Sequence, residues 1–208
     1  MTPMTKRLRI LAVDDNRTNL HILQVFLKKL GHEIILAENG QEALDKFESE
    51  RPDIILLDIM MPVMDGFEAA RRIKAHTTER WVPIIFLSAL NRDENLLEGL
   101  EAGGDDYLTK PINFIVLEAK LRSMQRSLDL QQQSIDALNR LKTISDAVLE
   151  AIITIDTKGC IRSCNLATER VFGWLPEELE GLNVNVLMHE PFHSAHDAYI
   201  SNYVQGGP

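Results

Sequence analysis

The chain has 208 residues, of which 31 are acidic and 22 basic, giving a formal net charge of −9 at pH 7. This acidic balance argues against direct binding to nucleic acid or to an anionic membrane surface. No stretch approaches the ~20 apolar residues of a membrane span, residues 1–9 lack the apolar segment of a secretion signal, and two cysteines make no disulfide framework. We therefore expect a cytoplasmic protein with neither a nucleic-acid nor a membrane partner.

Three runs of large apolar residues each lead directly into polar side chains. The run 8–13 leads into Asp14 and Asp15, the run 54–57 into Asp58, and the run 84–87 into Ser88. Continuous apolar runs of this length are typical of strands covered on both faces, as in a parallel sheet flanked by helices. Because ligands bind at the carboxyl ends of such strands, these polar groups are predicted to meet at one edge.

Helical periodicity fills the gaps between the apolar runs, at 19–30, 41–47 and 67–75, with glycines at the predicted helix ends. Alternation of strands and helices implies right-handed βαβ units and an α/β fold with a five-stranded, doubly wound parallel sheet. We predict a helix after each strand. The five strands are predicted near 8–13, 33–37, 53–57, 83–87 and 105–108.

Four motifs follow one another at these strand ends. They are Asp14-Asp15, the run from Asp58 to Gly66 (DIMMPVMDG), Ser88-Ala89, and the run from Asp105 to Pro111 (DDYLTKP). Together they resemble the receiver domain of two-component response regulators, a flavodoxin-like fold, over residues 1–122. Several signatures in the correct order carry far more weight than one short motif.

Three carboxylates at neighbouring strand ends repel one another unless a cation lies between them. A hard dication with oxygen ligands, Mg²⁺ or Mn²⁺, suits this cluster. We predict Asp15 and Asp58 as direct ligands and Asp14 as a ligand through water, and the resemblance adds the backbone carbonyl of Met60.

Asp58 is the predicted phosphoacceptor, since a carboxylate can form an aspartyl-phosphate. Lys110 would neutralise one phosphoryl oxygen and Ser88 would donate a hydrogen bond to another, because such sites act by positioning and charge compensation. The resemblance implies a cis bond before Pro111, which would direct Lys110 inward. Beyond its own phosphorylation and dephosphorylation, we predict no independent enzyme activity in this chain.

Each of these residues also has a simpler interpretation. Asp14 or Asp15 could cap the first helix and Ser88 the next one, while Lys110 could be a solvated surface charge. A receiver that binds partners without phosphorylation is the corresponding alternative function. The resemblance implies that Ser88 and Tyr107 move on phosphorylation and alter the face formed by the last strand and its flanking helices; ordinary packing is the alternative for Tyr107.

Residues 112–150 contain neither glycine nor proline and predict a helix much longer than the ~11–12-residue average. Seam positions, apolar except at Gln131, advance in steps of four and three, as in a left-handed coiled coil. They are Leu117, Leu121, Met124, Leu128, Gln131, Ile135 and Leu138, after which the phase shifts before Leu141, Ile144 and Val148. We predict a parallel homodimer through this linker; a helix folded back on its own chain is the alternative.

The segment 145–208 has a different pattern, beginning with a hairpin of 151–156 and 160–165 around a turn containing Gly159. The string from Ala167 to Met188 resembles the N-terminal part of a PAS sensor domain, an incomplete α+β domain here. Further strands of such a domain are expected beyond residue 208, in a longer protein. The region 183–200 is also similar to haem-PAS histidine kinases, in which the residue matching His196 binds haem iron; local packing of His196 is the alternative.

These predictions combine into a phosphorelay protein. A histidine kinase or phosphotransfer protein would phosphorylate Asp58, and the linker and PAS module would pass the change to an output domain. Domain order favours a cyclic-dinucleotide cyclase or phosphodiesterase as that output, with a histidine kinase second. The rival interpretations are a cofactor-binding PAS sensor and a phosphorylation-independent scaffold.

Overall fold

The structure, a computed structural model, describes residues 7–76, 80–89, 99 and 101–204. The chain divides into two compact units, 1–130 and 131–208. The first unit contains a five-stranded parallel sheet in the order β2-β1-β3-β4-β5. Its strands are β1 (Arg9–Val13), β2 (Glu33–Ala37), β3 (Ile54–Asp58), β4 (Ile84–Ser88) and β5 (Asp106–Thr109). The sheet confirms the predicted fold class.

Four helices are described around or after this sheet: α1 (Arg17–Lys29), α2 (Gly40–Glu50), α3 (Gly66–His76) and α4 (Phe114–Ala147). The side chain of Asn16 caps α1 by accepting from the N–H of Thr18, and Gly31 follows that helix with a φ of +87°. The predicted helix after β4 lies outside the described residues. Among the helices that the structure describes, none is long and apolar enough to cross a membrane.

Apolar side chains cover both faces of the sheet. Alternate residues of the central strands point to opposite faces, so Ile55 and Leu57 join one core cluster while Ile54 and Leu56 join the other. All four are fully buried. Burial on both faces explains why these strands are continuous apolar runs in the sequence.

The apolar stripe of α4 divides into two parts. Leu117, Leu121 and Met124 are buried in the core of the first unit, with Leu128 packed at its margin. Further along, the apolar side chains are exposed to solvent: Leu130, Ile135, Leu138, Leu141 and Ile144. The seam predicted to pair two chains therefore cannot begin at Leu117, because its first residues already pack within their own chain.

The second unit contains a two-stranded antiparallel sheet, β6 (Ile153–Ile155) and β7 (Ile161–Cys164). Short helices follow: α5 (Ala167–Phe172), α6 (Pro176–Leu179), a 3-10 helix (Val184–Leu187) and α7 (Phe192–Val204). Its core is small, with Ile161, Leu179 and Val184 buried and other apolar residues partly covered. The predicted hairpin is confirmed.

Candidate functional site

The carboxyl ends of four strands meet at one edge of the first unit's sheet. Asp14 follows β1, Asp58 ends β3, Ser88 ends β4 and Lys110 follows β5. Asp14, Asp58 and Ser88 are 0%, 4% and 6% exposed. The parallel register places Asp58 beside Leu87 and Ser88 beside Thr109, so the polar positions of neighbouring strands lie at the same level.

The Lys110 ammonium joins two of these carboxylates. Its Nζ donates to Oδ2 of Asp14 at 2.7 Å and to Oδ2 of Asp58 at 2.6 Å. The backbone N–H of Lys110 also donates to the carbonyl of Ser88 at 2.7 Å, and the Lys110–Pro111 bond is cis. Lys110 is therefore not a solvated surface charge, and its partly buried side chain lies inside the acidic edge.

Burial raises the pKa of the Asp58 carboxyl above its ordinary value, because the charged form loses solvation. The hydrogen bond and positive charge of Lys110 oppose this rise, whereas the neighbouring charge of Asp14 adds to it. Burial lowers the pKa of Lys110, but its bonds to Asp14 and Asp58 outweigh burial, and the net shift is upward. The site therefore favours a charged ammonium next to a carboxylate that is partly destabilised in its ionised form.

Asp14, Asp15 and Asp58 form a compact acidic cluster. One carboxylate oxygen from each lies within 4.8 Å of the others, and Asp15 is exposed while the other two are buried. Oxygen ligands of this kind, open to solvent on one side, fit a Mg²⁺ or Mn²⁺ ion that keeps several of its waters. The donor set thus agrees with the predicted metal site.

Asn19 holds Asp14 in place, a residue that the sequence patterns did not single out. Its Nδ2 donates to both carboxylate oxygens of Asp14, at 2.9 and 3.1 Å, while the N–H of Asn16 donates to Oδ1 at 2.9 Å. Since Asn16 caps α1, the interpretation of Asp14 or Asp15 as the helix cap is wrong. The position of Asn19 in the first turn of the helix after β1 was the available signal.

The loop after Asp58 closes tightly against the end of β3. A Cβ at Gly66 would lie 2.2 Å from the carbonyl oxygen of Asp58, so no larger residue fits. Val63 has a φ of +71° inside a γ-turn, in which the N–H of Met64 donates to the carbonyl of Pro62 at 2.8 Å. This conformation is strained for a β-branched residue.

Met60, the predicted backbone ligand, lies in the same loop. Its side chain is exposed, and its N–H donates to Oδ1 of Asp58 in a long hydrogen bond of 3.4 Å. The loop therefore contacts the carboxylate through backbone groups and leaves its outer face to solvent.

The predicted switch residues differ in exposure. Ser88 is buried beside the carboxylates, whereas the Tyr107 side chain is 45% exposed. The Lys120 Nζ lies 5.9 Å from the centroid of the Tyr107 ring and is bonded to both carboxylate oxygens of Asp106. Tyr107 thus occupies an outward position in this structure, next to a paired cation.

A groove borders the acidic edge between α1 and the start of α4. Its volume is about 210 Å³ and its lining is mainly apolar. The residues that line it are Asn19, Ile22, Leu23, Lys110, Pro111, Ile112 and Phe114. Lys110 and Asn19 belong both to the groove and to the acidic edge.

His196 lies in α7 of the second unit and is only partly exposed. Its Nδ1 is buried and has no hydrogen-bond partner among the described residues. A cavity of about 330 Å³ in this unit is lined by residues that include Asp197 and Ile200 but not His196.

The strand-end geometry agrees with comparison to known families. The sequence matches the response regulator receiver domain over residues 10–122 and the PAS fold over residues 139–207. The chain belongs to the response regulator receiver family, and its receiver domain is followed by a PAS region.

Individual relatives support the same assignment. The chain is 42% identical over 118 residues to the response regulator PleD of Caulobacter vibrioides; this covers 57% of the chain and 26% of PleD, so the chain spans about a quarter of that relative. A two-component response regulator from Clostridium difficile is similar in structure, with 37% identity, a TM-score of 0.55, and coverage of 58% of this chain and 97% of that one. The receiver domain of Ssk1 from Saccharomyces cerevisiae, crystallised with the histidine phosphotransfer protein Ypd1, gives 34% identity, a TM-score of 0.51, and coverage of 55% and 86%.

Proposed function

We propose that the receiver domain accepts a phosphoryl group on Asp58. The observation that carries this proposal is the placement of the Lys110 ammonium between Asp14 and Asp58, at a sheet edge where three carboxylates converge. A carboxylate with a raised pKa beside a fixed cation is suited to nucleophilic attack on a phosphoryl group, whose negative charge the cation then balances.

Each neighbouring residue has a role in this proposal. Asp58 attacks phosphorus and releases the donor's leaving group, and Lys110 exchanges its bond with Asp58 for one with a phosphoryl oxygen. Ser88, buried at the end of β4, donates to a second oxygen. Asn19 keeps Asp14 oriented, and Tyr107 leaves its exposed position when the phosphoryl group is present.

Asp14, Asp15, Asp58 and the backbone carbonyl of Met60 would hold a Mg²⁺ or Mn²⁺ ion. When bound, the ion supplies positive charge that reduces repulsion between the carboxylates and the incoming phosphoryl group. Addition of Mg²⁺ is therefore expected to stabilise the receiver in thermal unfolding, and Asp15→Asn to weaken that effect.

Phosphorylation with acetyl phosphate and Mg²⁺, followed by intact mass, tests this function. We expect the wild-type chain to gain the mass of one phosphoryl group and Asp58→Asn to gain none. Asp65→Asn is the matched control, because Asp65 lies in the same loop but caps α3 by accepting from the N–H of Glu68, which asparagine also does. Equal labelling of wild type and Asp58→Asn would contradict the proposal and favour a phosphorylation-independent scaffold.

We infer that a histidine kinase or phosphotransfer protein is the phosphodonor. The mainly apolar groove beside Lys110 supports this, since a partner seated there would reach Asp58 without crossing the sheet. The complex of Ypd1 with the receiver of Ssk1 is an example of such a pairing in a similar protein. Ile22→Glu, in the groove, should slow transfer from a protein donor and leave labelling by acetyl phosphate unchanged.

We propose that two chains pair in parallel through the exposed part of α4. The apolar side chains after Leu130 have no covering partner among the described residues. Ile135 and Leu138 continue the heptad spacing of the seam, and Leu141 and Ile144 extend the apolar stripe after the phase shift. Leu138→Glu should reduce self-association in concentration-dependent light scattering. Asn139→Glu, on the adjacent exposed position, is the control; equal behaviour of the two variants would contradict pairing through this seam.

The receiver, linker and PAS region are proposed to span 1–122, 112–150 and 145–208, and to regulate a further domain of the whole protein. A cyclic-dinucleotide cyclase or phosphodiesterase remains our proposed output, with a histidine kinase as the alternative. Haem binding by His196 stays an alternative prediction. Absorption spectroscopy after addition of haem tests it directly: a Soret shift in wild type that His196→Ala abolishes would support it, and no shift in wild type would contradict it.

A further inference from the structure

The side chain of Asn165 follows β7 and is only 3% exposed. Its amide nitrogen donates to the carbonyl oxygens of Ser145, at 2.7 Å, and Glu150, at 3.0 Å. Its amide oxygen accepts from the N–H of Ile152 at 2.9 Å and from the hydroxyl of Thr168 at 3.1 Å. An asparagine amide has two N–H donors and two acceptor lone pairs, so this side chain uses its full bonding capacity.

The four partners come from different parts of the second unit. Ser145 lies in the last turn of α4, where carbonyl groups have no partner within the helix. Glu150 and Ile152 belong to the connection before β6, and Thr168 lies in α5. One buried side chain therefore joins a helix end, a connection, a hairpin and the next helix.

Two further hydrogen bonds strengthen the same junction. The N–H of Leu166 donates to Oδ1 of Asp146 at 3.1 Å, so the residue after Asn165 is also tied to the last turn of α4. The backbone N–H of Asn165 donates in addition to the carbonyl of Ile152 at 3.1 Å. These contacts fix both the position and the direction of the helix end against the hairpin.

We propose that Asn165 is a positioning residue that couples the end of α4 to the β6–β7 hairpin. Movement of the helix is then passed to the PAS core, and movement of the PAS core is passed to the helix. Apolar packing tolerates small sliding, whereas four directional bonds to one amide do not. The coupling of phosphorylation to the PAS region rests on the proposed function; the junction itself does not.

Asn165→Asp and Thr168→Val form a matched pair of variants at this junction. Asn165→Asp keeps the shape of the side chain but replaces both N–H donors by a carboxylate oxygen that faces the carbonyls of Ser145 and Glu150. Thr168→Val removes a hydroxyl from the same buried amide and leaves the two bonds to Ser145 and Glu150 in place. Both variants disturb the local core, but only Asn165→Asp breaks the link to the helix.

Hydrogen exchange of the full chain, without phosphodonor, provides the first test. We expect amide exchange at Ile152 and Leu166 to accelerate by about tenfold or more in Asn165→Asp, and much less in Thr168→Val. Equal acceleration in the two variants would overturn the proposal, whatever the phosphorylation state. If Asn165→Asp loosens the whole hairpin, Asp146→Ala is the milder test, because it removes only the bond to the N–H of Leu166 and should affect that amide alone.

The same measurement with acetyl phosphate and Mg²⁺ tests the coupling. Wild type and Thr168→Val should change exchange both at the end of α4 and in residues 153–164, whereas Asn165→Asp should change it only in the helix. A hairpin response in Asn165→Asp equal to that of wild type would overturn the coupling. Absence of any mass gain in wild type would instead contradict phosphoryl acceptance on Asp58 and leave the first test intact.

Discussion

The two units of this chain are stabilised in different ways. In the receiver unit, large apolar residues such as Ile55 and Leu57 are fully buried on both faces of a five-stranded sheet. In the described part of the second unit, 131–204, the core cluster around the hairpin contains three buried apolar residues. Buried or half-buried polar side chains such as Asn165 and Asp156 tie the connections together. The difference indicates that the receiver depends mainly on apolar burial, and the second unit to a greater degree on specific hydrogen bonds.

This difference also explains where each unit can carry function. A rigid sheet holds Asp14, Asp58 and Lys110 at fixed distances, which the proposed phosphoryl acceptance would require. In the second unit, directional bonds from Asn165 join the end of α4 to the hairpin, and such a connection suits the proposed transmission of movement between them.

The largest effect is expected from Gly66→Ala in the receiver. The added Cβ would overlap the carbonyl oxygen of Asp58, so β3 and the start of α3 must separate. We expect a loss of several kcal/mol in the free energy of unfolding, in line with overpacking at a tight site, and loss of acetyl phosphate labelling. Gly173→Ala, where no atom lies within 4 Å of the added Cβ, is the comparison in the second unit; its cost should arise from its φ of +78° alone. If the two variants lost similar free energies of unfolding, the loss at Gly66 could not be attributed to overlap with the carbonyl oxygen of Asp58.

Truncation of a buried apolar side chain should destabilise the two cores to different extents. Ile55→Ala and Ile161→Ala each remove a fully buried side chain. We expect about 4 kcal/mol for Ile55→Ala, because its closely packed neighbours cannot relax, and about 2 kcal/mol for Ile161→Ala, whose neighbours are partly exposed and can collapse. Urea unfolding monitored by hydrogen exchange in each unit would measure both. A larger loss of unfolding free energy for Ile161→Ala than for Ile55→Ala would contradict the view that the receiver core is the more closely packed of the two.

Val63→Gly should stabilise the receiver by about 1 kcal/mol. Glycine removes the strain of a β-branched residue at positive φ, and this gain exceeds the greater backbone entropy that glycine brings to the unfolded state. Met60→Gly is the control in the same loop, because the φ of Met60 is not positive and only the entropic loss remains. Thermal unfolding would contradict the assignment of strain if both variants were destabilised equally.

The smallest effects are opposite responses of the two units to acid, without Mg²⁺. Burial raises the pKa of Asp58, so its stabilising contribution is present below the ordinary aspartate value of about 3.9 and is lost as pH rises through its folded pKa. The N–H groups of Cys160 and Lys158 lower the pKa of Asp156, so its contribution is present above about 3.9 and is lost as pH falls through its folded pKa.

Exchange rates measured in each unit from neutral pH down to about pH 2 would separate these contributions, because the loss at Asp156 falls below its ordinary pKa. Relative to Asp58→Asn, the wild-type receiver should gain stability as the pH falls. Relative to Asp156→Asn, the wild-type second unit should lose its advantage only at the acid end of that range. The same sign of response in both comparisons would contradict one of the two pKa directions.

The sequence predicted the receiver well because its physical signals are local. Apolar runs covered on both faces end at polar residues, and the parallel arrangement brings those ends together, so Asp14, Asp58, Ser88 and Lys110 could be grouped in advance. The fold class and the approximate strand bounds could be predicted from these patterns without any interatomic distance. The predicted roles of these residues remain proposals that labelling experiments will test.

Other features depend on three-dimensional contacts that no local pattern encodes. Heptad spacing in α4 does not reveal which partner covers the stripe, so the burial of Leu117 and Leu121 within the receiver could not be distinguished from pairing with a second chain. The orientation of Asn19 toward Asp14 depends on how α1 packs against β1. The bonds of Asn165 depend on the register of a hairpin with a bulge, which sequence alone does not fix.

The ammonium of Lys110 has a consequence for how the receiver responds to its ionic surroundings. This side chain already supplies a positive charge to Asp14 and Asp58. The two carboxylates therefore do not need a dissolved cation to lie close together. We therefore expect the receiver to fold and remain folded when divalent ions are scarce. A chelator should then stop labelling of Asp58 without unfolding the sheet beneath it.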